Sequence, residues 1–315
     1  MSTELMVRVA TTGWWQHALI VAGVADVARV VPLFDMAALH AAAGELDSVR
    51  VLVTYTGAMP VTREVIDALP ALELVVVMGA GVDCVDVAHA ADRGVAVRNC
   101  PGANTQDVAE LAFGLLLAAT RGIVSTDASM RAGRWENVTR HRVSGSPIGI
   151  IGMGNIGRAI ARMATAAAMP VFYTSRSKAD DLPYAFVPDV GDLADSVRHL
   201  VVAAPATAAT RHIVDRAVIE RLGPSGVLVN ISRGTLVDEE ALTACLADGR
   251  LGAAGLDVFA TEPAVPEHLI GLPNCVLSSH NAANTHEAFA TVLAKALDIV
   301  RRHLGTPAPD QRPTT

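Results

Sequence analysis

Ile148-Gly149-Ile150-Ile151-Gly152-Met153-Gly154-Asn155-Ile156-Gly157 is the stretch that decides the fold. An apolar run ends in Gly-x-Gly-x-x-Gly, and a helical pattern follows through Ala168. Strand, glycine turn and helix in that order suit the pyrophosphate of a dinucleotide. Gly152 makes the turn, Gly154 lets phosphate approach the backbone, and Gly157 lets helix and strand pack closely. The helix start, with Asn155 and Ile156 in its first turn, offers unpaired N–H groups and a positive dipole end. The motif lies near the middle of 315 residues, so a second folding unit must precede it.

Upstream, Leu5–Ala10, Val49–Thr54, Leu72–Met78 and Val95–Val97 read as strands between helical patterns, and loops carry Gly57, Gly79, Gly81 and Gly94. This is an α/β pattern with parallel pairing. A long helix is expected after Asn104, with Val108, Leu111, Ala112, Leu115 and Leu116 at helical spacing. Downstream, six strands are expected at Ile148–Ile151, Val171–Thr174, Leu200–Ala203, Gly226–Asn230, Gly252–Leu256 and Val276–Leu277. Helices are expected at Ile156–Ala168, Arg216–Leu222 and Glu239–Asp248, which together match a doubly wound nucleotide-binding sheet. A last amphipathic helix is expected at Thr285–His303, and the Pro- and Thr-rich tail Gly305–Thr315 is expected to be disordered.

Composition narrows the function classes. A hydrophobic fraction of 51% against 18% charged describes a globular chain with well-filled cores, and 4% aromatics means those cores are aliphatic. The net charge of -7 argues against nucleic acid or an anionic membrane as partner. No uncharged stretch approaches the roughly 20 residues needed to span a bilayer, and no signal peptide is evident. Cys84, Cys100, Cys245 and Cys275 are scattered, so neither a metal site nor a disulfide framework is expected. Reduced thiols in a cytoplasmic protein are the simplest reading.

The second strand of a dinucleotide fold ends beside the adenine ribose, where a carboxylate selects NAD. Here it ends Val171-Phe172-Tyr173-Thr174-Ser175-Arg176-Ser177-Lys178. Hydroxyls at Ser175 and Ser177 and the guanidinium of Arg176 suit a 2′-phosphate. NADP(H) is therefore favoured, with NAD(H) possible through backbone contacts.

Three later segments place polar groups at strand ends: Asn230-Ile231-Ser232-Arg233-Gly234, Asp257-Val258-Phe259-Ala260-Thr261-Glu262-Pro263, and Ser278-Ser279-His280-Asn281. An Arg, a Glu and a His converging there would serve an α-keto or α-hydroxy acid. Arg233 can clamp a carboxylate and polarise a carbonyl, His280 can move the hydroxyl proton, and Glu262 can hold the imidazole tautomer.

With these motifs, the chain resembles the D-isomer-specific 2-hydroxyacid dehydrogenase family. The likeness also takes in Gly79-Ala80-Gly81-Val82-Asp83, Val108-Ala109-Glu110 and Arg131-Ala132-Gly133-Arg134-Trp135, and so covers nearly the whole chain. It implies two Rossmann-like domains, each a doubly wound parallel sheet, with a cleft between them. Residues 1–99 and 285–315 would form the substrate domain and 100–284 the inserted dinucleotide domain. The resemblance also implies roles: Arg233 for substrate carboxylate and carbonyl, His280 as acid/base, Glu262 as its partner. Asp257 would contact the nicotinamide carboxamide, Thr105, Ala204, Pro205 and Ile231 would lie along the cofactor, and backbone N–H groups of Gly79, Ala80 and Gly81 would hold the substrate carboxylate. One departure is visible: Ser279 stands before His280, where family members usually carry Pro, which restores an N–H donor.

The expected reaction is hydride transfer between NAD(P)H and a small 2-oxo acid of the glyoxylate or hydroxypyruvate type, giving a D-2-hydroxy acid. The side-chain pocket is expected to draw on Thr54, Tyr55, Thr56 and Met78, and on Trp135–Arg142. Arg140, His141 and Arg142 form either an exposed basic loop or a reader of a second anion on a phospho- or phosphono-substituted 2-oxo acid. The short segment after His303 argues against an appended regulatory domain, and the start of the chain against a formate dehydrogenase. A homodimer is expected by analogy through the region after Asn104. A dinucleotide-sensing corepressor remains the alternative of another class.

Overall fold

Continuous aliphatic runs such as Val51-Leu52-Val53 and Leu74-Val75-Val76-Val77 are buried throughout, as strands covered on both faces must be. The computed structural model describes residues 7–12, 14–42, 44–264 and 266–305. Its chain divides into two compact units: residues up to Asn104 with those from His286, and Thr105–Thr285.

The first unit runs β1 (Val7–Thr11), α1 (Trp14–Val24), β2 (Ala28–Pro32), α2 (Met36–Ala41), β3 (Val49–Thr54), α3 (Arg63–Asp67), β4 (Leu74–Val77), α4 (Val87–Asp92) and β5 (Ala96–Asn99). The strands are all parallel in the order β2-β1-β3-β4-β5. The second unit runs α5 (Thr105–Arg121), α6 (Ile123–Arg131), β6 (Ile148–Ile151), α7 (Asn155–Ala166), β7 (Val171–Thr174), β8 (Ala185–Phe186), α8 (Val190–Ser196), β9 (His199–Val202), α9 (Arg216–Leu222), β10 (Val227–Asn230), α10 (Glu239–Ala247), β11 (Ala253–Leu256), α11 (Glu267–Ile270) and β12 (Cys275–Leu277). Its sheet is parallel, in the order β12-β11-β10-β9-β6-β7-β8. The chain then returns to the first unit as α12 (His286–His303). Both units are Rossmann-like α/β folds.

Two strands were not expected. Arg29 and Pro32 interrupt the apolar run of β2, which is tolerable only because β2 is an edge strand. The second sheet has seven strands rather than six because the two-residue β8 closes its other edge. The expected strand Leu5–Ala10 is seen as β1, with Leu5 and Met6 outside the described residues, as are residues 306–315 of the tail. Helices α8, α9 and α10 begin on Asp189, Asp215 and Asp238, each accepting an N–H from three residues on at 2.9–3.0 Å.

The first junction lies five residues beyond 99, for a packing reason. Cys100 N–H donates to the Gly79 carbonyl at 2.8 Å, and Cys100 and Ala103 are buried in the first unit's core. In that core Val292, Ala296 and Val300 of α12 join Val9, Ile20 and Val76. Arg301 fixes the far end of α12 with two hydrogen bonds to the Asp26 carboxylate at 2.8 and 2.7 Å. In the second unit α5 lies so close to β11 that a side chain at Gly255 would meet Leu115 Cβ at 2.9 Å.

One core group makes stability depend on pH. His199 at the start of β9 has no solvent exposure, and neither ring nitrogen has a hydrogen-bond partner among the described residues. Burial pushes its pKa from 6.5 down to about 4. As pH falls from 6.5 to about 4, the unfolded chain takes up this proton and the folded chain does not. Stability is full above that window and falls across it by about 3 kcal/mol. Denaturant titrations of wild type and His199→Leu should show a shallower loss in the variant; equal losses would contradict this assignment.

Candidate active site and cofactor site

The three glycines of the loop after β6 have three different surroundings. Gly152 has φ +99°, and a side chain there would meet the Ala203 carbonyl and the Ala204 backbone at 2.7 Å. At Gly157 it would meet the Gly152 carbonyl at 2.0 Å. At Gly154, immediately before α7, it would meet nothing within 4 Å. Two glycines are thus demanded by the fold and one is left bare to space, which is the cradle a pyrophosphate fits. Asn155 and Ile156 open α7, whose first N–H groups have no partner within the helix.

Around this loop, Ala204 packs on Gly152 and its carbonyl accepts the Ser232 hydroxyl. Pro205 is exposed, and its carbonyl accepts from Thr210 Oγ1 at 2.8 Å. Ile231 is buried, so its side chain belongs to the core and only its backbone can serve a ligand. Thr105 is half-buried as the first residue of α5.

Beyond β7, Ser175 Oγ donates to the Ser177 carbonyl at 2.6 Å and closes a tight turn. Asp181 takes Arg158 through two hydrogen bonds of 2.5 and 3.1 Å, and Asp180 takes Lys178 at 4.0 Å. Arg176, exposed on the turn, has no carboxylate partner among the described residues. A cation left uncompensated at the strand end meant for ribose suits a 2′-phosphate.

The His280–Glu262 pair sits at the C-terminal edge of the second sheet. His280 Nδ1 lies 2.6 Å from Glu262 Oε2, while Glu262 Oε1 accepts the Phe259 N–H at 2.9 Å. Each carboxylate oxygen is engaged, so the imidazole's Nδ1 is fixed and Nε2 is the ring nitrogen left for proton chemistry. His280 has φ 54°, a left-handed conformation unusual for a residue with a side chain. Asp257 holds it there. Its carbonyl accepts the His280 N–H at 2.7 Å, and its fully buried carboxylate accepts Asn281 N–H at 2.8 Å and Ala282 N–H at 3.0 Å. Asp257 thus braces the His280 loop.

Arg233 is placed by two neighbours that sequence reasoning left without a role. Buried Asn230 donates from Nδ2 to the Arg233 carbonyl at 2.9 Å and accepts the Ser232 N–H at 3.1 Å. Gly234 lies against the 259–260 backbone, where a side chain would meet Phe259 C at 2.0 Å, which keeps the Arg233 loop beside the Glu262 loop. Glu239, in the first turn of α10, braces that same loop by accepting Ala260 N–H at 2.9 Å and pairing with His268 at 3.0 Å. Its acidic position in a first helical turn was visible; its reach of 21 residues was not.

The expected carboxylate site lies at the C-terminal edge of the first sheet, with one correction. The Gly79 N–H is occupied by the Val77 carbonyl at 2.9 Å. Ala80 and Gly81 keep their N–H groups without an acceptor among the described residues. Asn99 Nδ2 pins the Ala80 carbonyl at 2.6 Å, and space beside Gly79 is open. Two adjacent bare N–H groups on a pinned loop form a small anion nest. Tyr55 follows β3 and buried Met78 follows β4 on the same edge.

Arg140–Arg142 lie elsewhere. Arg140 packs over Gly122 beside Gly252, Ala253 and Asn274, the starts of β11 and β12, and the Arg142 carbonyl accepts Ser146 Oγ just before β6. This is the N-terminal edge of the sheet, about 13 Å of strand away from Glu262 and His280. Within its own unit the segment is an exposed basic loop.

Residues 113–282 match the family described as "D-isomer specific 2-hydroxyacid dehydrogenase, NAD binding domain". The chain belongs to this family. It is 46% identical to a hydroxyphenylpyruvate reductase of Plectranthus scutellarioides over 77% of this chain and 78% of that one. It is 45% identical to glyoxylate/hydroxypyruvate reductase A of Arabidopsis thaliana over 76% and 78%. Among solved structures it is similar, with a TM-score of 0.88 and 31% identity over 98% and 100% of the two chains, to the NADPH-dependent glyoxylate/hydroxypyruvate reductase of Sinorhizobium meliloti in complex with NADP and malonate. As a D-isomer-specific 2-hydroxyacid dehydrogenase, the chain is a nicotinamide-dependent oxidoreductase that interconverts 2-oxo and D-2-hydroxy acids.

Proposed function

We propose that this dehydrogenase works as an NADPH-preferring reductase of small 2-oxo acids, with glyoxylate and hydroxypyruvate as its default substrates. The observation that carries the chemistry is the 2.6 Å contact of His280 Nδ1 with Glu262, on a loop locked by Asp257. A bound reduced nicotinamide supplies hydride to the carbonyl carbon. His280 Nε2 gives a proton to the carbonyl oxygen, and Glu262 stabilises the imidazolium from the other side of the ring. Arg233 offsets the negative charge that develops on that oxygen. Ala80 and Gly81 N–H groups hold the substrate carboxylate.

Arg176 carries the cofactor preference, gripping a 2′-phosphate, with Ser177 and the turn's backbone as further donors. Charge-assisted hydrogen bonds of this kind are worth about 1.5–3 kcal/mol. Arg176→Ala should therefore lower kcat/KM for NADPH by roughly 10- to 100-fold and leave NADH turnover unchanged. Equal loss with both cofactors would remove Arg176 from this role. Names of relatives supply the first substrate panel: glyoxylate, hydroxypyruvate and 4-hydroxyphenylpyruvate, each with NADPH and NADH in parallel.

A homodimer is also part of the reading. Ile123, Val124, Met130, Trp135 and Val138 stand exposed on α6 and the loop after it, with Trp135 at 85%. A cluster of that kind favours cover by a second copy. The four free thiols fit a reducing compartment, and we assign the cytoplasm.

A further inference from the structure

We propose that the first unit carries a side-chain subsite centred on His17, which reads a hydroxyl at the far end of an extended 2-oxo acid. The inference rests on the reading that Ala80 and Gly81 anchor the substrate carboxylate.

Strand order supplies the first argument. In a sheet ordered β2-β1-β3-β4-β5 the chain departs in opposite directions after β1 and β3. Ligands bind at such a switch point, in the crevice outside the strands' carboxyl ends. Residues following β1 therefore face the same crevice as Tyr55 after β3, although no motif singles them out.

Side-chain geometry supplies the second. Thr11, buried at the end of β1, places Oγ1 2.9 Å from Nδ1 of half-buried His17 in the first turn of α1. Phe34, just beyond β2, meets the imidazole edge-on, with centroids 5.5 Å apart and planes at 86°. Thr12 Oγ1 donates to Thr54 Oγ1 at 2.8 Å, Thr12 N–H to the Val53 carbonyl at 3.1 Å, and Leu33 N–H to the Thr11 carbonyl at 2.8 Å. The segments after β2, β1 and β3 are thus cross-linked, and the His17 ring is held in one plane. Nδ1 is occupied and Nε2 is the polar atom left to meet a ligand. Burial lowers the His17 pKa, so the ring is neutral and suits a hydroxyl better than a carboxylate or phosphate.

Spacing sets the size of the ligand. One strand, β3, lies between β1 and β4, so the ends of the strands that lead to His17 and to the carboxylate nest are about 10 Å apart along the edge. Glyoxylate or hydroxypyruvate anchored at the nest ends well short of Nε2. A ring-bearing or six-carbon side chain with a terminal hydroxyl reaches it, passing Tyr55 and Met78.

The test compares kcat/KM for 4-hydroxyphenylpyruvate, phenylpyruvate and glyoxylate in wild type, His17→Phe and His17→Gln. Wild type should prefer the hydroxylated ring over the plain one by about tenfold. His17→Phe should erase that preference through the hydroxylated substrate alone. His17→Gln, whose amide nitrogen falls near the place of Nε2, should restore part of it. No preference in wild type, or an equal loss on all three substrates in His17→Phe, would overturn the subsite. Glyoxylate reduction without any turnover of the ring-bearing acids would overturn it while leaving the reductase reading intact. Failure on every 2-oxo acid would overturn both.

Discussion

His280→Ala is expected to lower kcat for 2-oxo acid reduction by about 10²–10⁴-fold while NADPH still binds with wild-type affinity. The imidazole is the group whose Nδ1 is secured by Glu262 at 2.6 Å, leaving Nε2 to serve the substrate oxygen. Its left-handed backbone would cost about 1–3 kcal/mol if unsupported. Support comes from the Asp257 carbonyl and carboxylate, which receive three successive N–H groups and would receive them equally from an alanine at 280. The variant therefore keeps its loop and loses its proton donor, so stability changes little while turnover falls. Single-turnover absorbance decay of NADPH, with fluorescence titration of its binding, measures the two effects separately. Wild-type turnover in the variant would remove His280 from the chemistry.

The second large effect separates two glycines three residues apart. Gly157→Ala should destabilise the second unit by about 3 kcal/mol and abolish NADPH binding, because its methyl would lie 2.0 Å from the Gly152 carbonyl, where only backbone could move. Gly154→Ala should leave the melting temperature near wild type, since its methyl meets nothing within 4 Å, yet weaken NADPH by at least tenfold by filling the phosphate's approach. Melting curves and cofactor titrations of the two variants together make the comparison. Wild-type affinity in Gly154→Ala would contradict the cradle.

Much of this was legible from residue order because the constraints are local. Gly152, Gly154 and Gly157 act over a single turn, and the steric demand on each is fixed by strand–turn–helix geometry. Apolar runs covered on both faces announced β3, β4, β6, β7 and β10, whereas β2, with Arg29 and Pro32 in its five residues, and the two-residue β8 lacked that signature. The candidate catalytic residues were visible as Arg, Glu and His at successive strand ends. What positions them was not. Asp257 reaches Asn281 and Ala282 across 24 and 25 residues, and Glu239 reaches Ala260 across 21. Such contacts exist only once β10, β11 and β12 are in register. Arg140 is the opposite case: its charge suggested a ligand, and only topology shows that the chain before β6 lies at the N-terminal edge of the sheet. For Gly79, the loss of one donor to the Val77 carbonyl depends on a local turn centred on Met78 that composition cannot reveal.

The most direct measurement is the initial rate of NADPH oxidation with glyoxylate and hydroxypyruvate, run beside NADH and followed by chiral analysis of the product formed from a prochiral 2-oxo acid. Rapid, substrate-dependent oxidation that favours NADPH and yields the D-2-hydroxy acid is the predicted result. An L-configured product, or tight NADPH binding with no oxidation by any 2-oxo acid, would contradict it.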